Sequence, residues 1–216
     1  LSRGLGDVYK RQSYDETLRC FYTPRRTLRI GVSHHILGAD LSHWLRRLAQ
    51  ADPEVLVAFS LGTSRQMLES YEEGALDIAL ILRHDNRRQD GEVIGSERFG
   101  WMAADTFELE DGAPLPLAIQ PAPCGMRSMV SSALEAHQRL WSEAFVGSGI
   151  LAIGAAVSAG IGIGAMVERM APAGCVDVRA RFDLPELPPR DVVLYCAHRD
   201  TQTRALVSTL AQAIAA

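Results

Sequence analysis

The chain has 216 residues, 47% of them apolar and 22% charged, with a formal net charge of −4. These are globular values, enough for one good core or two small lobes, and they point away from disordered, fibrous and membrane-spanning classes. Phosphate binding needs clustered Lys and Arg, which an acidic chain with scattered cations lacks, so this stretch is not expected to grip nucleic acid itself.

Residues 1–12 (LSRGLGDVYKRQ) have no hydrophobic periodicity and no apolar signal region, and are expected to be a non-native leader. The hexapeptide Asp7–Gln12 resembles the translation of a transposon end used in sequencing-library preparation. Residues 13–26 read as the remnant of a linker, in which Pro24 argues against a continuous helix.

From Thr27 the chain alternates strand and helix signals. Leu28–Val32 is a short apolar strand, and Asp40–Ala51 places Leu41, Trp44, Leu45 and Leu48 on one helical face. Glu54–Leu61 reads as a strand, and Thr63 with Gln66 has capping-box spacing for a helix that Gly74 would stop. Ala75–Leu82 is a buried strand, and the mixed-charge run Arg83–Glu92 a solvated loop. A second series follows: a strand at Leu115–Gln120, a helix stripe through Met126, Met129, Val130, Ala133, Leu134 and Leu140, a strand at Glu143–Val146, a helix at Ile150–Ala159 and a strand at Ile161–Val167. Glu97–Ala103 and Asp191–Ala197 read as strands crossing between two lobes, and a last amphipathic helix runs from Thr203 to about Ala215. Because parallel strands need covering crossovers, this rhythm predicts an α/β fold. The expected division is 27–98 plus 198–216 as the first lobe and 99–197, with the crossover strands, as the second.

Catalytic signatures are missing. Cys20, Cys124, Cys175 and Cys196 form no C-x-x-C pair, so reduced and mostly buried thiols are expected rather than zinc ligands. His34, His35 and His43 lack an obvious carboxylate partner, and no metal site is expected. Gly160-x-Gly162-x-Gly164 runs from helix to strand, the wrong order for a dinucleotide loop, and reads as close helix-to-sheet packing. No nucleophile elbow or Walker loop is present, so neither an enzyme nor a cofactor is expected.

Three stretches, RTLRIGV at Arg26–Val32, GALDIALI at Gly74–Ile81 and AAVSAGIGIGAMVERM at Ala155–Met170, resemble the effector-binding domain of LysR-type bacterial transcriptional regulators. The resemblance extends from Thr27 to Ala216 and implies a type-II periplasmic-binding-protein fold, two Rossmann-like lobes joined by two crossover strands. It further implies a cytoplasmic regulator that senses a small-molecule effector, forms a homodimer or tetramer, touches DNA only through an amino-terminal winged helix-turn-helix absent from this chain, and does not engage a membrane. A solute-binding protein of a transport system is the alternative.

In open α/β sheets, ligands bind beyond the carboxyl ends of strands, where helix amino-termini offer free N–H groups. That rule selects Ser33 and His34 after the first strand, Thr63 and Ser64 after the second, Cys124, Gly125 and Arg127 after the first strand of the second series, and Gly147 and Ser148 after the next. These residues suit a small anion, with Arg127 as the charged donor. The same residues also have ordinary readings, Thr63 as a helix cap, Ser148 as a loop residue and Arg127 as a solvated helix start.

Overall fold

The computed structural model describes residues 26–36, 41–83, 90–197 and 203–208. The expected leader, the linker remnant up to residue 25, Cys20, Asp40 and the far end of the last helix lie outside the described residues.

The first half opens with β1 (Thr27–Ser33), α1 (Leu41–Ala51), β2 (Leu56–Gly62), α2 (Ser64–Glu72) and β3 (Ile78–Leu82). β1 pairs in parallel with β2 and with β3 on its other side. All five residues of β3 are buried, the near-continuous apolar run that a strand covered on both faces requires. Asp77, just before β3 and itself buried, accepts hydrogen bonds from the Arg29 backbone N–H (2.8 Å), Nε (3.1 Å) and Nη2 (2.7 Å), fastening β1 to the start of β3. Removing Asp77 would leave the Arg29 backbone N–H without this acceptor. The same contact raises the Arg29 pKa above its ordinary value.

The second half repeats the plan with β6 (Leu115–Ile119), α3 (Gly125–Ala136), β7 (Trp141–Val146), α4 (Ile150–Ser158) and β8 (Gly164–Val167), numbered after two intervening strands, β4 (Glu92–Glu97) and β5 (Phe99–Ala104). β6 and β7 pair in parallel, and a parallel bridge between Leu117 and Ile163 joins β6 to the β8 side. β5 runs antiparallel to β8 and to β9 (Cys175–Asp177). The last strand, β10 (Arg190–Cys196), returns to the first sheet, antiparallel to β3 and β4. The first sheet is therefore ordered β2-β1-β3-β10-β4, and the second reads β7-β6, then β8-β5-β9 across the bridge. Each half has three parallel strands flanked by a strand that the chain supplies after crossing from the other half. The crossings are at Arg98, between β4 and β5, and along 178–189, before β10. Trp101 Nε1 donates to Pro185 O at 2.8 Å, pinning the return segment to β5.

Several expectations are corrected. β10 belongs to the first sheet, not to the second lobe with the rest of 99–197, because its ladder partners are β3 and β4. β4 and β9 were unforeseen: the largely exposed β4 carries no apolar alternation, and β9 is only three residues long. β4 takes Glu92 from the expected loop, and residues 84–89 of that loop lie outside the described residues. Leu45 is 37% exposed and Leu140, beyond the end of α3, is 72% exposed, so neither joins its expected stripe. Of the described cysteines only Cys124 is buried, while Cys175 and Cys196 are half-buried. β8 begins at Gly164 rather than Ile161, since the chain leaving α4 first runs beside β6, where Ile163 donates to Pro116 O and accepts from the Ala118 N–H.

That passage explains the glycine run. A Cβ on Gly162 would lie 2.6 Å from the Pro116 backbone oxygen, and one on Gly164 2.7 Å from Val157 Cγ2 of α4. Gly162→Ala is therefore expected to destabilise the chain by about 1–3 kcal/mol through overpacking against a backbone that cannot yield. Gly95→Ala, with open space at its Cβ, should have a far smaller effect, and urea unfolding of the two variants checks the contrast.

Candidate functional site

The carboxyl ends of β1 and β6 meet. Gln120, one residue past β6 and buried, has its Oε1 3.1 Å from His34 Nε2 and its Nε2 3.1 Å from His35 Nε2. The two imidazoles follow β1 and pack edge to face, with ring centroids 4.8 Å apart. Burial lowers the His34 pKa from its ordinary value of 6.5, and the Gln120 hydrogen bond opposes this more weakly. Nearby, Arg169 pairs with Glu97 at the crossover and donates from Nη2 to the Ile36 carbonyl (2.7 Å), a second polar tie between the halves.

Cavities lie on either side of this bridge. One, of about 420 Å³, is lined by Thr63, Ser64 and Arg65 at the start of α2, by Pro123, Cys124, Gly125 and Ser128 at the start of α3, and by Leu82, Arg83 and His35. The other, of about 710 Å³, is an apolar groove between Leu41 and Leu61 on one side and Ile150, Leu151 and Gly154 on the other, with His34, Ser148 and Arg169 at its edge. Thr63, Ser64, Cys124 and Gly125 thus share the first chamber, whereas His34 and Ser148 line the second. The four loops expected to converge are brought together in two groups.

The remaining expected residues have other partners. Ser33 is fully buried, and its Oγ lies 3.1 Å from Ser64 Oγ, which in turn accepts from the Leu82 backbone N–H at 3.1 Å. This chain of bonds ties β1, α2 and β3 together beneath the chamber. Gly147 lines neither cavity and donates to Ile119 O at 3.1 Å, extending the β6–β7 ladder. Arg127 pairs with Glu143 and donates to the Gln120 carbonyl (3.2 Å), so its charge is already engaged away from both large cavities.

Arg83 was missed as a site residue. It follows β3 and lines the first chamber, with Nη1 3.6 Å from Asp191, a long contact to Asp90 O (3.4 Å), and a buried Nε that has no partner among the described residues. The rule of strand ends could have found it, since it follows β3 as His34 follows β1, but its place in a mixed-charge run points to a solvated loop. Helix capping separates the two walls of the chamber. Thr63 forms a full capping box with Gln66, while Cys124 makes no side-chain cap, leaving the first N–H groups of α3 without that satisfaction. Among the described residues no cluster of acidic, His and Cys side chains is arranged to hold a metal ion.

Two substitutions separate cap from core. Ser64→Ala strands the Leu82 N–H and is expected to cost about 1–3 kcal/mol. Thr63→Ala removes only the cap and should cost about 1 kcal/mol. Chemical denaturation checks the order, and equal losses would contradict it.

Residues 23–216 match the family described as LysR substrate binding domain. The HTH-type transcriptional regulator DgdR of Burkholderia cepacia is 26% identical over 168 residues, 78% of this chain and 57% of that protein, so the chain spans little more than half the length of this curated relative. In fold it is similar to the CcmR regulatory domain of Synechocystis PCC6803 in complex with 2-PG (TM-score 0.65, 15% identity, 87% of this chain and 97% of that one). It is also similar to the effector binding domain of QuiR in complex with shikimate (TM-score 0.60, 11% identity, 86% and 95%). With a family match across nearly its whole length and the paired-lobe architecture of these domains, the chain belongs to the LysR substrate-binding domain family.

Proposed function

We propose that this chain is the effector-sensing part of a LysR-type transcriptional regulator and binds a small anionic metabolite between its lobes. The observation that carries the reading is the 420 Å³ chamber in which the amino-termini of α2 and α3, one from each lobe, face a common space with Arg83. A carboxylate or phosphate there gains donors from the uncapped first turn of α3 and charge from Arg83, while Leu68, Ile81, Leu82 and Tyr195 pack an apolar body. Because the ligand touches both lobes, it favours one interlobe arrangement over others, which is the differential affinity that any conformational response requires.

In the whole regulator, that arrangement sets the spacing of winged helix-turn-helix domains within a homodimer or tetramer, acting in the cytoplasm on DNA. The exposed edge strands β2 and β7, with Leu56, Leu61 and Val146 open to solvent, are compatible with pairing to another copy. The curated relative is a transcriptional regulator, which supports this reading over solute uptake, and no described helix is long and apolar enough to cross a membrane.

Thermal-shift screening of small carboxylates and phosphates, beginning with shikimate and 2-PG, should identify ligands that raise the melting temperature. Calorimetry on such a ligand should then show Arg83→Gln weakening affinity about tenfold or more, with Ser148→Ala near neutral. The reverse pattern would move the ligand to the apolar groove and overturn the assignment.

A further inference from the structure

We propose that Asp191 is a tethered competitor of the effector: its carboxylate shares the Arg83 guanidinium in the empty chamber, an incoming anion takes that guanidinium from it, and Asp191 thereby sets the affinity of the site. The inference rests on the anion chamber proposed above and names the group that regulates it.

The two residues face each other across a ladder. Leu82 pairs with Val192 in the antiparallel β3–β10 register, and the next step outward brings the Arg83 N–H onto Asp191 O at 2.9 Å. That bond fixes both backbones, so the Asp191 side chain stays within reach of Arg83 whether or not a ligand is bound. A group held in this way acts at an effective concentration set by its tether, not by the solution. Asp191 is the second residue of β10, at the point where the chain re-enters the first sheet after the crossover along 178–189.

The geometry lets Asp191 compete without excluding a ligand. Arg83 Nη1 lies 3.6 Å from Asp191 Oδ2, beyond hydrogen-bonding distance, and Nη2 donates to Asp90 O at 3.4 Å. Other guanidinium–carboxylate pairs of the same molecule close fully. Arg29 meets Asp77 at 2.7 Å through Nη2 and 3.1 Å through Nε, and Arg65 meets Glu69 at 2.8 Å. The Arg83 side chain is nevertheless only 19% exposed, against 46% for Asp191. A mostly buried guanidinium is best stabilised by a bidentate acceptor at about 2.7–2.9 Å, which a carboxylate or phosphate in the chamber supplies and Asp191 at its present distance does not. Once displaced, the half-exposed Asp191 carboxylate returns to water, where the loss of so long an ion pair costs little.

The test is an NMR titration of the chain with inorganic phosphate and acetate as probes, acetamide as the neutral control, and ionic strength held constant. Asp191→Asn should tighten both anions about two- to fivefold and leave acetamide unchanged. Arg83→Gln should weaken both anions, and adding Asp191→Asn to it should restore nothing, because Asp191 acts through Arg83. In the wild-type chain the carbon resonance of the Asp191 carboxylate should move as phosphate saturates the site, a readout that needs no variant to fold. Unchanged anion affinity in Asp191→Asn would overturn the inference, as would the same gain with and without Arg83, or a carboxylate signal that stays fixed at saturation. Those results leave the chamber standing, since Arg83 is still needed for binding. Phosphate and acetate binding that is absent, or indifferent to Arg83→Gln, removes the chamber and the competitor with it.

Discussion

Parallel strands deliver all their carboxyl ends to one edge of a sheet, and the structure depends on having two such edges face each other. β1, β2 and β3 end at one side of the gap, β6, β7 and β8 at the other, and the antiparallel β5 and β10 that flank each parallel set belong to chain that has just crossed over. No loop had to evolve toward a distant one. The connectivity itself places helix amino-termini on both walls of a shared space, and helix amino-termini attract anions.

The two halves touch through polar groups where they meet. Gln120 reaches the histidines after β1, and Arg169 joins Glu97 at the crossover with the Ile36 carbonyl. Hydrogen bonds exchange readily with water, so their net contribution is only about 0.5–1.5 kcal/mol each. Apolar burial runs through both halves, since one hydrophobic cluster takes in Trp44 and Leu48 of α1 together with Met129 and Leu134 of α3.

Much of this was legible in the residues. The strand and helix order, the Thr63 capping box and the close packing at Gly162 and Gly164 all follow from local chemistry, and local chemistry is written in the sequence. What escaped is long-range. Which sheet receives β10 is decided by pairing with β3 more than a hundred residues earlier. Arg127 looked like a free donor because Glu143, its partner sixteen positions on, is brought close only by the α3–β7 crossover. Of the expected residues, Thr63, Ser64, Cys124 and Gly125 line one cavity and His34 and Ser148 the other, and nothing about a glutamine before Pro121 announces that its side chain will meet two histidines 86 and 85 positions away.

In the proposed function both lobes contribute to one ligand chamber beside Gln120. A crystal structure of the chain with a carboxylate or phosphate ligand tests it most directly. The account predicts density touching the start of α2 and the start of α3 at once, with the anionic group within hydrogen-bonding distance of Arg83 or the first N–H groups of α3. Ligand density confined to one lobe, or seated in the apolar groove beside Leu151, would contradict it.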